Sequence, residues 1–353
     1  MSRLLILQIY IFIIYILSAL ELIKPKLKKI NMNIIVLASG FIFLTLDEKV
    51  PDLINYEIIY YKLPTTMEKG YVLLNKLFKE NNFSFMEFRI AIGIVVTYLI
   101  YRAFTKLTMY PSITFLCYMQ YNFLEKPYIQ IRNAFSIAIF LNVIEYFVKR
   151  RRIKGILGTL ISYQFHKSAA VYFIVTFFDK IKFSKKKIIG YFILVVLLSI
   201  LVTQINLDIF FNLLLKLPFK GITEKIMYHF IKKESQITDI VAGTGIRMWI
   251  SYLLFSLLFR YLIKKVKNRD NYKLKIYSYI YLFQGIVVLF KSLSYNFLIF
   301  TRIVGCFDFA EVIIVSWLIE KQKNNIKKQI YLFIVFLYVM LSCYKFGLNL
   351  GIW

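Results

Sequence analysis

A few acids, cations and rings in this 353-residue chain stand where their types and spacing could do chemistry. The first group is PDLINYEIIYYK followed by MEKGYVLLNKLF. It reads Asp52-x3-Tyr56-x3-Tyr60, then Glu68-x-Gly70-Tyr71. Residues at i, i+4 and i+8 share one face of a helix. An acid beside aromatic rings is how proteins hold sugars: carboxylates accept hydroxyl hydrogen bonds, and rings cover the apolar sugar faces. The plainer alternative is a solvated acid beside tyrosines of a membrane-interface belt.

The second group is a set of cations at one end of apolar segments: Arg89, Arg132, Arg247, Lys291 and Arg302. Arg132 falls about four residues, or roughly 6 Å, into its segment, and Arg302 about six residues, or roughly 9 Å. Charges at such depth are costly and usually face a cavity. Guanidinium groups pair with phosphate oxygens bidentately. A pocket lined by Arg132, Arg302 and Arg247 therefore suits a lipid-linked phosphate or diphosphate. Snorkelling to headgroups is the competing account, and it suffices for Arg89 and Arg247. Arg102 and Arg260 stand at the opposite ends and need no other account.

Two further groups complete the set. FHKSAA (165–170) puts His166 in the middle of an apolar segment, as a general acid or base, or a phosphate ligand; a packing histidine is the alternative. Asp308 and Glu311 share one face of a later segment, where buried acids mark ion paths or pair with neighbouring cations. His229 has no chemical company in sequence. There is no Walker A, GxSxG, HExxH or DxD pattern. With two histidines and three scattered cysteines (Cys117, Cys306, Cys343) there is no metal-site spacing. Neither a metal nor a cofactor is expected.

The elements that must position these residues are membrane helices. The chain is 59% hydrophobic and only 18% charged, against about 45–50% and about 25% in soluble domains. This composition argues against a soluble enzyme, a nucleic-acid-binding module and a disulfide scaffold. A net charge of +27 would suit nucleic acid in a soluble protein, but here the cations lie in runs between apolar segments. There they set topology and meet anionic lipid.

The expected fold is an all-α polytopic integral membrane protein. Its apolar segments are 4–23, 30–46, 88–104, 110–124, 128–148, 153–178, 188–204, 246–263, 276–294, 296–318 and 329–346. The cationic runs 24–29, 149–154, 180–187, 264–275 and 321–328 should all face the cytoplasm. That parity holds only if 153–178 crosses twice, or dips and returns, with His166 at an outer-facing break. The chain then makes about 11–12 passages, with both termini outside. The whole of 1–353 is expected to form a single transmembrane domain with external loops at 47–87 and 205–245. These loops carry seven acids with five lysines and four acids with five lysines. Their stretches 71–80 and 208–219 are read as interfacial helices, so chemistry belongs on this outer face.

Taken in order, these pieces resemble the EpsG-type, Wzy-like polymerases of bacterial capsule and exopolysaccharide. The resemblance runs over roughly residues 45–320. It rests on Asp52, Tyr56, Tyr60 and the Glu68-x-Gly70-Tyr71 step, on QIRNAFSIAIFL with Arg132, on YQFHKSAA with His166 and Ser168, and on TRIVGCFDFAEVII with Arg302. Departures are Asn133 after Arg132, where the family often has Gln, and Cys306-Phe307, where an aromatic pair is common.

The resemblance implies a GT-C-like membrane glycosyltransferase of the bacterial cytoplasmic membrane. Donor and acceptor would be undecaprenyl-diphosphate-linked oligosaccharide, with membrane lipid, a chain-length regulator and a flippase as partners, and no nucleic acid. Arg132, Arg302 and Arg247 would bind the diphosphate. Glu68, Asp52 or His166 would activate the acceptor hydroxyl. Tyr56, Tyr60 and Tyr71 would hold sugar. A lipid-linked oligosaccharide flippase, a glycan ligase and a structural assembly partner are the rival readings.

Overall fold

The structure, a computed structural model, describes residues 3–45, 51–64, 67–120, 123–181, 184–203, 244–265, 271–296 and 299–349. Among these residues every regular element is helical and there is no strand. Among the described residues, six helices are long and apolar enough to cross a membrane: Arg3–Ile23, Pro25–Leu44, Phe85–Leu107, Ile131–Val148, Tyr272–Ser294 and Asn325–Phe346. The protein is thus an all-α polytopic membrane protein. The chain divides into two compact units, Met1–Asp179 with Glu311–Trp353, and Lys180–Ala310.

The first unit opens with α1 (Arg3–Ile23) and α2 (Lys28–Leu44), joined by a tight 3-10 turn over Pro25–Leu27. Proline fits the first turn of a helix and ends the one before it, so the basic run 24–29 becomes a corner. Next come α3 (Pro51–Lys62), α4 (Lys69–Glu80), α5 (Phe85–Leu107) and α6 (Pro111–Tyr118). At the start of α5, Ser84 and Glu87 form a reciprocal capping box. The expected 110–124 segment is shorter than drawn: α6 gives way to a π-helical turn, Leu124–Ile129, that contains Pro127. Proline's missing N–H forbids a regular continuation. As a result α7 starts late, at Ile131, and Arg132 is its second residue rather than its fourth or fifth.

α7 (Ile131–Val148) and α8 (Arg152–Tyr163) form an antiparallel hairpin around the basic turn 149–151. Cβ atoms placed on Gly155 and Gly158 would overlap Phe147 and Val143, at 2.7 and 2.4 Å. Nearer the open end, Ser136 and Ser162 share a hydrogen bond of 2.8 Å. The helix then stops at Tyr163, and a 3-10 segment, Lys167–Lys180, follows. Phe165 packs on Phe135, and Tyr172 stacks flat on Phe140 at 3.7 Å. Successive contacts therefore climb α7 from its first turn again, so the chain reverses at 164–166.

The second unit holds α9 (Lys185–Thr203), α10 (Thr244–Lys265), α11 (Asn271–Asn296) and α12 (Ile299–Phe307). Tyr252 and Tyr281 stack at 5.6 Å in its interior. The 205–245 loop, apart from its last two residues, lies outside the described residues, with the 208–219 stretch and His229. The chain passes back to the first unit within α13 (Phe309–Glu320) and ends in α14 (Asn325–Asn349). The expected 296–318 segment is thus two helices meeting at Asp308, and Asp308 with Glu311 do not share one continuous helix. Aspartate favours helix ends because its side chain competes for backbone hydrogen bonds.

A buried polar knot ties α1, α2, α5 and α6 together. Glu21, fully buried, accepts the Ser112 amide at 2.9 Å. Asn31 donates to the Leu17 carbonyl and to Ser112 Oγ, at 3.0 and 3.1 Å. Tyr101 meets the same hydroxyl at 2.7 Å.

Candidate functional site

Three segments of the first unit meet at the open end of the α7–α8 hairpin: the 67–71 corner, the first turn of α7 and the 164–168 break. Peptide groups stitch two of them together. The first amides of any helix lack partners within it. In α4 those of Gly70 and Tyr71 donate to the Gln164 carbonyl, at 3.0 and 3.3 Å. In return, Glu68 Oε1 accepts the amide of Lys167, which opens the 3-10 segment, at 3.3 Å. Each segment thus caps the other. Gly70 is required by closeness: a Cβ there would lie 2.9 Å from both Cβ and O of Gln164.

The other carboxylate oxygen holds the arginine. Glu68 Oε2 accepts from Arg132 Nη1 at 2.6 Å, with the two side chains 8% and 18% exposed. Arg132 Nη1 also lies 3.1 Å from Met67 Sδ. The guanidinium stands 5.5 Å from the Tyr56 ring and 5.8 Å from the Tyr71 ring, which meet edge to face. Both distances suit a cation–π contact. The Nε–H of Arg132 is buried without a hydrogen-bond partner.

His166 completes the corner. Its Nδ1 lies 2.5 Å from Ser168 Oγ and accepts the Ser168 amide at 3.2 Å. An Nδ1 that accepts an amide proton leaves the neutral ring's own proton on Nε2.

Two titrations are displaced here. Burial disfavours the Glu68 carboxylate, yet its own backbone amide, Arg132, the Lys167 amide and His166 outweigh burial. Its pKa therefore falls below the usual carboxylate range. Burial, and then the neighbouring Tyr56, push the Tyr71 phenol well above its ordinary value, so it stays neutral. The arrangement can bind an anion and accept a proton on a carboxylate or an imidazole.

Of the residues singled out by sequence, Glu68, Arg132, Tyr56, Tyr71 and His166 come together in this corner. Tyr60 does not face it. Its ring is fully buried 5.2 Å from Phe88, and its hydroxyl donates to the Phe83 carbonyl at 2.6 Å. Asp52 stands in the first turn of α3, one turn before Tyr56. Arg247 lies in the first turn of α10 and Arg302 within α12, both in the second unit. Arg89, read as snorkelling, is instead buried at 2% exposure over the Phe85 ring. Lys291 is exposed near the end of α11.

Sequence reasoning missed Met67, Gln164 and Asn75. Asn75 was legible: it is one turn after Tyr71 on the same face of α4, and it is fully buried beside the Tyr71 phenol. Among the described residues, no three His, Cys, Asp or Glu side chains group as metal ligands.

Helices that suit a bilayer, with a buried carboxylate–guanidinium–aromatic corner at one helix end, define a polytopic membrane protein carrying a polar site. The chain belongs to the EpsG family, whose profile it matches over residues 34–350. That stretch includes every residue of the corner and Arg247 and Arg302 as well. Membership suggests a membrane polysaccharide polymerase. No curated protein and no solved structure matches the chain.

Proposed function

We propose that the protein joins undecaprenyl-diphosphate-linked oligosaccharide repeat units into polymer on the outer face of the cytoplasmic membrane. The observation that carries this reading is Arg132, held by Glu68 between Tyr56 and Tyr71, with His166 in electrostatic reach of Glu68, in a chain of the EpsG family.

The acceptor's sugar hydroxyl attacks the donor's anomeric carbon. A new glycosidic C–O bond forms, and the bond from that carbon to the diphosphate oxygen breaks. Undecaprenyl diphosphate leaves with the electron pair. The hydroxyl proton passes to a base, for which Glu68, Asp52 and His166 are the candidates. Arg132 stabilises the charge growing on the leaving group, and Arg302 and Arg247 are further candidates for that role; removing one such donor typically costs about 10²–10³ in rate. Tyr56 and Tyr71, both buried, flank Arg132 and orient it. The sugar–diphosphate bond supplies the energy.

The test is deletion with complementation, reading lipid-linked glycan by size. Single outward-facing repeat units without polymer, in the deletion and again in Arg132→Ala and Arg302→Ala, are expected. Units trapped on the cytoplasmic side would mean a flippase, and attention would move to Asp308 and Glu311. Full-length polymer left on its carrier would mean a ligase. Normal polymer in both arginine variants would remove the diphosphate assignment.

A further inference from the structure

The corner around Arg132 already holds an anion, and that anion is the protein's own. Glu68 takes one guanidinium nitrogen of Arg132 and the first amide of the 3-10 segment. The fit is incomplete: only Nη1 of the guanidinium meets the carboxylate, and the buried Nε–H has no acceptor. A guanidinium is satisfied by two oxygens in its plane, the geometry a phosphoryl group supplies. The pair is also nearly closed to water, at 8% and 18% exposure. A buried charge cannot simply lose its partner, because the one left behind is uncompensated. Glu68 can therefore leave Arg132 only as another anion arrives.

We propose that Glu68 is a resident competitor for the donor's diphosphate. The diphosphate displaces the carboxylate from Arg132 and from the Lys167 amide, and the released carboxylate then serves the acceptor hydroxyl. Donor binding thus arms the acid–base group, and an empty site keeps it locked away. The identity of the anion as a diphosphate rests on the polymerase reading; the competition itself rests on the corner's geometry. Loss of Glu68 from the Lys167 amide also frees the 67–71 corner from one of its ties to the 164–168 break. The two amides of α4 on Gln164 remain as the hinge.

The test is binding of inorganic pyrophosphate to the full chain, purified in lipid nanodiscs, by calorimetry. Glu68→Gln removes the competing charge. Glu68→Asp keeps the charge but is one methylene too short to span Arg132 and Lys167. Both variants should bind pyrophosphate at least about tenfold more tightly than the wild type, while polymer formation falls. Arg132→Ala should lose pyrophosphate binding. Unchanged or weaker binding in whichever Glu68 variant folds overturns the proposal. Misfolding of both does so too, since the pair would then be structural. The polymerase reading fails separately: it falls if Arg132→Ala makes normal polymer in cells. If that variant is inactive and the Glu68 variants bind no more tightly, only the competition is refuted.

Discussion

Gly70→Ala adds a single methyl group at the tightest approach in the site. Elsewhere in a helix this change stabilises by about 0.5–1 kcal/mol, because glycine loses more backbone freedom on folding. Here the new Cβ would lie 2.9 Å from the carbonyl oxygen and from Cβ of Gln164. Two responses are open. The overlap can be absorbed by local strain, at about 1–3 kcal/mol. Alternatively Gln164 can retreat, giving up the hydrogen bonds from Gly70 and Tyr71, each worth about 0.5–1.5 kcal/mol. Either response costs about 1–3 kcal/mol and acts at the corner, since the helix packing of the unit lies elsewhere.

The larger effect is positional. Glu68 and Tyr71 sit either side of Gly70, and His166 and Lys167 come two and three residues after Gln164. A shift of about 1 Å between reacting groups can cost roughly 10² in rate. Polymer in a complemented deletion strain should therefore fall by about one to two orders of magnitude, with the protein still present in the membrane at wild-type amount. The readout is the glycan ladder on a gel beside an immunoblot of membranes. A wild-type ladder from Gly70→Ala would refute the stitch as a determinant of the site.

Three other outcomes follow from the same geometry. Tyr60→Phe should leave the ladder unchanged and lower the apparent melting midpoint slightly, since it loses one hydrogen bond worth about 0.5–1.5 kcal/mol; Tyr71→Leu should instead cut polymer about thirtyfold, because a desolvated cation–π contact is worth about 2 kcal/mol. Glu21→Leu should lower the melting midpoint of the solubilised protein by stranding the buried Ser112 amide, at about 1–3 kcal/mol, whereas Glu21→Gln keeps an acceptor and should melt near wild type. The lowered pKa of Glu68 means its ion pair contributes stability above the unfolded carboxyl's value and loses it as pH falls through the folded value. The melting difference between wild type and Glu68→Gln should therefore be flat from pH 8 to pH 6 and shrink only below the ordinary carboxylate range; a difference that shrinks between pH 8 and pH 6 would refute it.

The corner was legible in sequence to the extent that chemistry is local. Glu68, Gly70 and Tyr71 fall within four residues, and Tyr56 is an acid-and-ring neighbour by helical spacing, so all four could be gathered by reading along the chain. What joins them to Arg132 and His166 is tertiary, and no periodicity reports it. Tyr60 shows the limit. It has the same spacing from Tyr56 as Tyr56 has from Asp52, yet it turns into the Phe85 and Phe88 cluster. A tyrosine's face is set by which neighbours bury it, and both faces of α3 offer apolar partners. Gln164 was hidden for a different reason: it acts through its backbone carbonyl, for which side-chain chemistry carries no signal. The late start of α7 turns on Pro127, whose residue type alone forbids a regular helix through the turn before Ile131.

The reversal at 164–166 connects the fold to the depth of the site. At about 1.5 Å per residue, Arg132 stands roughly 24 Å along α7 from its last residue, Val148, beside the basic turn. A hydrocarbon core is about 30 Å thick. With that turn at the cytoplasmic boundary, as the cationic runs propose, the guanidinium lies roughly 6 Å beneath the outer boundary. The path back is equally constrained. An α-helix over the 14 residues Lys167–Lys180 would rise only about 21 Å. In 3-10 geometry, at about 2.0 Å per residue, the same residues rise about 28 Å, nearly a full crossing. So long a 3-10 run is uncommon because its hydrogen bonds are poorer. Here the added reach lets one apolar segment carry a helix up, a polar break at the level of Arg132, and the return to the next basic run.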